Sequence, residues 1–136
     1  MCIRDRNGAL ANACDSYGAL AATPENVIRF YETLLGGALI SDSSLEEMQT
    51  WVKGINSTEP EYGEGFEYWQ FNPGSTPQFG HEGDGMGCST QIFYVPDNET
   101  YLYININAGR QLFGPYLFKI TDLKRDLCRY VANWQE

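Results

Sequence analysis

The stretch "FGHEGDGMGCSTQIFYVPDNETYLYININ", residues 79–107, decides how this chain folds. Its second half holds two runs rich in β-branched and aromatic residues, "CSTQIFYVP" at 88–96 and "ETYLYININ" at 99–107. The tight-turn signal "PDN" at 96–98 joins them, so 88–107 reads as an antiparallel hairpin. Just before it, "QFGHEG" at 78–83 reads as a short strand entering a glycine-rich bend. Further upstream "GFEYWQF", 65–71, alternates aromatic and polar residues as a half-buried strand does, and "NPGSTP", 72–77, is a turn.

Helical patterns flank these strands. In "ATPENVIRFYETLLGG", 22–37, Thr23 is the expected N-cap, Pro24 takes the first helical position and Glu25 suits the first turn. Val27, Phe30, Tyr31, Leu34 and Leu35 recur at helical spacing, and Gly36 and Gly37 end the segment. "SDSSLEEMQTWV", 41–52, repeats the logic, with Leu45, Met48 and Val52 as its apolar stripe. Residues 54–64 read as a loop and 108–116 as a connection. The last helix is expected over 120–134, capped by Thr121 or Asp122, with Leu123, Leu127, Tyr130, Val131 and Trp134 facing the core.

The order is two helices, three or four antiparallel strands, then a helix. That is an α+β layout, an antiparallel sheet flanked by helices. An edge strand with nothing to protect it implies partner strands from elsewhere.

Composition narrows the function. A chain of 136 residues makes one domain. Its net charge of −9 repels phosphate backbones, which argues against nucleic acid as a partner. No stretch approaches the roughly 18 apolar residues of a membrane span. The opening "MCIRDR", 1–6, is unlike the remainder and resembles a translated adaptor prefix, leaving 7–136 as the domain and implying a chain cut from something longer. The cysteines, Cys2, Cys14, Cys88 and Cys128, form no CxxC, so a zinc site or thioredoxin motif has no support. They read as buried or free thiols; a Cys14–Cys88 bridge is the alternative that an exported protein would permit. The sequons "NST", 56–58, and "NET", 98–100, matter only in a eukaryotic secretory setting.

His81 is the only histidine, and it stands in "GHEGDG". The zinc-protease motif HExxH would need a second histidine at 85, which is glycine. Glu82 and Asp84 could touch calcium, but EF-hand spacing is absent. "GDGMG" lacks the lysine and the following helix of a phosphate loop. No cofactor or metal is therefore expected. Taken alone, His81 could be a hydrogen-bonded turn residue.

The order of segments around it says more. Phe30, Leu34–Leu35, Ser41, Leu45, Met48, Tyr62–Gly63, Gly65 and the run Gly80-His81-Glu82-Gly83 follow one another as they do in a known family. The chain resembles, over about residues 16–107, the C-terminal half of the serine β-lactamase-like family. That family comprises class C β-lactamases, D-alanyl-D-alanine carboxypeptidases and related esterases. The resemblance implies a partial β-lactamase/transpeptidase-like fold, with the last helix as the family's C-terminal helix. It also implies that the His-x-Gly element lies on a strand beside a serine nucleophile. His81 then takes the cationic or hydrogen-bonding position and Gly83 lets substrate backbone approach closely. The Asp84 backbone N–H would serve an oxyanion hole, a donor worth about 3–4 kcal/mol of barrier.

Three departures shape the reading. Asp84 stands where relatives carry Gly, Ser or Thr, and its carboxylate must point away from a developing oxyanion. Glu82, a candidate substrate-binding residue, stands where β-lactam-recognising members carry a hydroxyl, and a carboxylate there repels an anionic substrate. Both lean away from a β-lactamase and toward an ester, amide or peptide substrate, small-molecule or peptide. The nucleophile motif Ser-x-x-Lys is absent: no serine has a lysine three residues on. "YIN", 103–105, lies after the His strand and fits an ordinary hairpin better than the family's Tyr-x-Asn. The expectation is the C-terminal fragment of a serine hydrolase, inactive alone, whose partner is the N-terminal part of the same domain. The alternative is a self-contained binding module with Tyr62, Phe66, Tyr68 and Trp69 as its face.

Overall fold

The computed structural model describes residues 20, 22–55, 60–70, 77–84, 88–107 and 116–134. The turn at 72–76, the tip of the glycine-rich bend at 85–87, the "NST" sequon, the "MCIRDR" opening and Cys14 lie outside them. Cys88 and Cys128 are free thiols.

Helix α1 spans Pro24–Leu35 and has the ends its sequence implies. The Thr23 side chain accepts from the Asn26 amide at 3.3 Å. At the other end Gly37 adopts φ +74°, with Gly37 N–H on the Leu34 carbonyl and Ala38 N–H on that of Thr33. This is a Schellman closure, and glycine supplies its left-handed residue without strain. Tyr31 and Leu34 are buried, with Val27, Ile28 and Leu35 packed beside them. Phe30, expected inside, is exposed. It sits about 100° around the helix from Tyr31, beyond the edge of the stripe that meets the sheet.

Helix α2, Asp42–Met48, is shorter than expected. The Ser41 hydroxyl caps it, accepting from the Ser44 amide at 3.2 Å. The chain then turns extended at β-branched Val52, which is exposed in strand β1, Val52–Lys53, rather than part of a helical stripe. The segment expected as loop pairs β1 with β2, Pro60–Tyr62. Strands β3 (Glu67–Trp69), β4 (Gln78–Asp84), β5 (Ser89–Val95) and β6 (Thr100–Ile106) complete a six-stranded antiparallel meander, β1 to β6 in order. A single 3₁₀ turn over Pro96–Asn98 joins β5 to β6, with Glu99 at φ 51°. The strand expected at 65–71 to stand unprotected at the start of the sheet is instead covered by β2, and within the described residues β1 and β6 are the two edges.

The sheet has two unlike faces. Phe79 and Ile92, with Phe66, meet Tyr31 and Leu34 of α1 in the apolar core. A fully buried side chain such as Phe66 contributes about 2–3 kcal/mol. The other face carries buried Gln78, Ser89, Gln91, Phe93 and Val95. Helix α3, Tyr116–Ala132, covers it. α3 starts earlier than expected, so Thr121 and Asp122 lie inside it. It buries Ile120, Lys124 and Cys128, while of the expected stripe Val131 is half-buried and Leu123, Leu127, Tyr130 and Trp134 are exposed. The reason is chemical: the sheet face beneath α3 is polar. Gln78 donates to the Cys128 carbonyl at 3.2 Å, Gln91 donates to its sulfur at 3.3 Å, and the Lys124 ammonium bonds Glu82 at 2.8 Å.

Lys124 is completely buried, and only its own pairing stabilises the charge there. Breaking such a pair leaves carboxylates without a counter-ion. Lys124→Met should cost about 3 kcal/mol of stability in urea unfolding, partly recovered when Glu82→Gln and Asp84→Asn are added. A loss under about 1 kcal/mol would mean that the pair is solvated and unimportant.

Candidate active-site strand

Strand β4 is where the singled-out residues meet. Side chains alternate along a strand, so His81 and Gly83 share the face of Phe79, and Glu82 and Asp84 share the opposite face with Gln78. The carboxylates confirm the alternation. Glu82 lies 2.8 Å and Asp84 3.6 Å from the Lys124 Nζ, and the Ser89 hydroxyl donates to Asp84 at 2.5 Å. Asp84 therefore points away from the His81 face, as an oxyanion donor at that position requires. Glu82, expected to meet substrate with its carboxylate, turns that group under α3 instead. The pair that could have touched calcium converges on an ammonium group; the described residues hold no cluster of three or more metal-ligating side chains.

Two glycines of β4 differ in what they do. A Cβ on Gly80 would fall 1.9 Å from the Ile92 carbonyl oxygen, a clash with backbone. The rings of Trp69 and Phe93 pack at 4.7 Å on the α3 side of the sheet beside it. Gly80 is thus required by packing. Among the described residues, a Cβ on Gly83 would meet the Thr90 hydroxyl at 3.0 Å, a side chain that donates to the Gly83 carbonyl at 3.3 Å, and no backbone atom.

Pairing of β3 with β4 runs from Trp69↔Gln78 to Glu67↔Gly80, so residues 81–84 extend past the start of β3. The Glu82 backbone N–H reaches the Glu67 carboxylate there. Backbone directions repeat every second residue, so the Asp84 N–H faces the same edge.

His81 is held from two sides. Its Nδ1 bonds the backbone carbonyl of Glu82, and its Nε2 lies 2.5 Å from the Tyr62 hydroxyl. The Glu67 carboxylate is 3.8 Å from Nδ1. Tyr62 is brought there by a tight turn: Gly63 N–H bonds the Phe66 carbonyl at 2.8 Å, and Glu64 N–H bonds the Met48 carbonyl at 3.0 Å. Gly63 is packed so closely that a Cβ would lie 2.3 Å from Met48 backbone oxygen. Sequence reasoning missed Glu67 and Lys124, because a lone acid in a strand and a lone lysine in a helix carry no motif.

The aromatic surface of a binding module does not form. Phe66 is buried, Tyr68 packs on Trp51 with ring centroids 5.1 Å apart, and Trp69 packs on Phe93. Only Tyr62 is exposed among the four. Surface hollows among the described residues include one of about 540 Å³ along the exposed side of α3 and one of about 510 Å³ between α1 and the sheet. Neither is lined by residues 81–84.

Burial raises the Glu67 carboxyl above its ordinary 4.5, and the neighbouring Glu82 charge adds to this against the opposing pull of His81. A group that binds its proton more tightly when folded withdraws stability as pH rises from about 4.5 through its raised value. Glu67→Gln should remove that loss. Urea midpoints should therefore show the variant gaining on the parent between about pH 4 and about pH 7. A difference that stays constant with pH would contradict this electrostatic assignment.

No helix among the described residues is long and apolar enough to cross a membrane. A search of curated proteins finds no match. The family model described as Beta-lactamase matches residues 3–118, which is most of the chain and takes in α1, α2 and the whole sheet. The α+β architecture, the His-x-Gly strand and that match lead to one conclusion: the chain belongs to the beta-lactamase family.

Proposed function

We propose that this chain supplies the substrate-facing strand of a serine hydrolase, and that the nucleophile comes from a segment outside these 136 residues. The observation that carries the reading is the division of β4 into two faces. His81 and Gly83 stand on one face, and Lys124 holds the carboxylates of Glu82 and Asp84 on the other. An acidic pair in the wrong orientation would oppose negative charge developing on a substrate oxygen.

In this reading a serine from a Ser-x-x-Lys motif attacks the carbonyl carbon of an ester, amide or peptide. The Asp84 N–H stabilises the oxyanion, His81 orients the substrate or stabilises charge, and Gly83 admits the substrate backbone. The leaving alcohol or amine takes a proton, and water then releases the acid from the acyl-enzyme. Glu82 contributes its backbone carbonyl, which holds His81, and its side chain anchors the strand to α3. Because that side chain is turned away, it gives no reason to exclude an anionic substrate. The surfaces that support a missing wall are the open edge at β6 and the exposed apolar side of α3.

A fluorophosphonate probe reports an activated serine directly. The chain alone should form no covalent adduct, seen as an unchanged intact mass. A stoichiometric adduct on any of its own serines would overturn the proposal.

A further inference from the structure

The environment of His81 carries more than a position on a strand. A backbone carbonyl only accepts hydrogen bonds, so the bond between Nδ1 and the Glu82 carbonyl requires the proton on Nδ1. In the neutral ring Nε2 is then an acceptor, and the Tyr62 hydroxyl, 2.5 Å away, donates to it. The two rings meet edge-on, with centroids 5.8 Å apart and planes at 90°. Burial, then the Glu67 charge, raises the Tyr62 hydroxyl above its ordinary value, which keeps it a donor at neutral pH. The turn that carries Tyr62 is pinned to the end of α2 through Gly63 and Glu64, so the hydroxyl is delivered by rigid backbone.

We infer that Tyr62 is a positioning residue for His81, and that the Tyr62 hydroxyl and the Glu82 backbone carbonyl together hold the imidazole as its Nδ1–H tautomer. A free imidazole side chain in water favours the Nε2–H form, so this arrangement reverses the default. In the neutral ring the accepting nitrogen is thus engaged by Tyr62. Glu67 lies 3.8 Å from the same Nδ1. The inference deepens the proposed function and rests on it for which face meets substrate; the tautomer itself rests only on the ring's partners.

His81 is the only histidine, so one long-range ¹⁵N–¹H correlation spectrum of the full chain reads it without assignment. Recorded above about pH 8, where an ordinary imidazole is neutral, it should show the Nδ1–H pattern. Tyr62→Phe, which removes one oxygen from an exposed ring, should move the dominant form toward Nε2–H. A parent spectrum dominated by Nε2–H, or a variant spectrum unchanged from the parent, overturns the inference. The parent spectrum decides even where the variant fails to fold. Probe labelling of a serine would sink the proposed function and leave this spectrum as it is, so the two failures are distinguishable.

Discussion

The structure depends on one buried ammonium group. Lys124 reaches through the packed side of α3 to Glu82 and Asp84, two residues of β4 that flank Gly83. Burying a charge is costly unless partners surround it, and here two carboxylates do. The consequence extends beyond α3. Both acids are drawn to one side of β4, so the strand's pleat is fixed with His81 and Gly83 on the other. The same demand explains why α3 presents its Ile120–Lys124–Cys128 row to the sheet and leaves its apolar row outside.

Much of this was legible in the sequence, and the reasons are local. Thr23-Pro24 and Gly36-Gly37 marked α1 because caps satisfy backbone groups within a few residues of themselves. The hairpin at 88–107 was legible because period-two patterning and a turn signal stand side by side. Phe30 was misplaced because helical spacing alone does not say where an apolar arc ends. The last helix was misread more deeply. Its apolar spacing predicts a core-facing stripe, whereas the sheet face beneath it is lined by Gln78, Gln91, Glu82 and Asp84 and selects a lysine. Only the three-dimensional neighbours of that helix reveal the choice. Lys124 and Glu67 were invisible for the same reason: their partners lie 42 residues away in one case and across a strand edge in the other.

The two faces of β4 divide its tasks. One face, through Lys124, secures the strand; the other, with His81 held by Tyr62, is the one we propose for chemistry. Gly80 and Gly83 show the division in miniature, the first excluded from any substitution by the Ile92 backbone and the second, among the described residues, bounded by the Thr90 hydroxyl. Lys124 turns the carboxylates of Glu82 and Asp84 away from the His81 face, which the proposed oxyanion role of the Asp84 N–H needs.

The most direct test of the central claim, that β4 is the wall of a serine-hydrolase site completed by another segment, is to read the source sequence in frame upstream of Asn7. The account predicts an open frame encoding Ser-x-x-Lys followed by Tyr-x-Asn. A frame that closes there, or one that runs on without either motif, would contradict it and return His81 to a hydrogen-bonded residue of a glycine-rich strand.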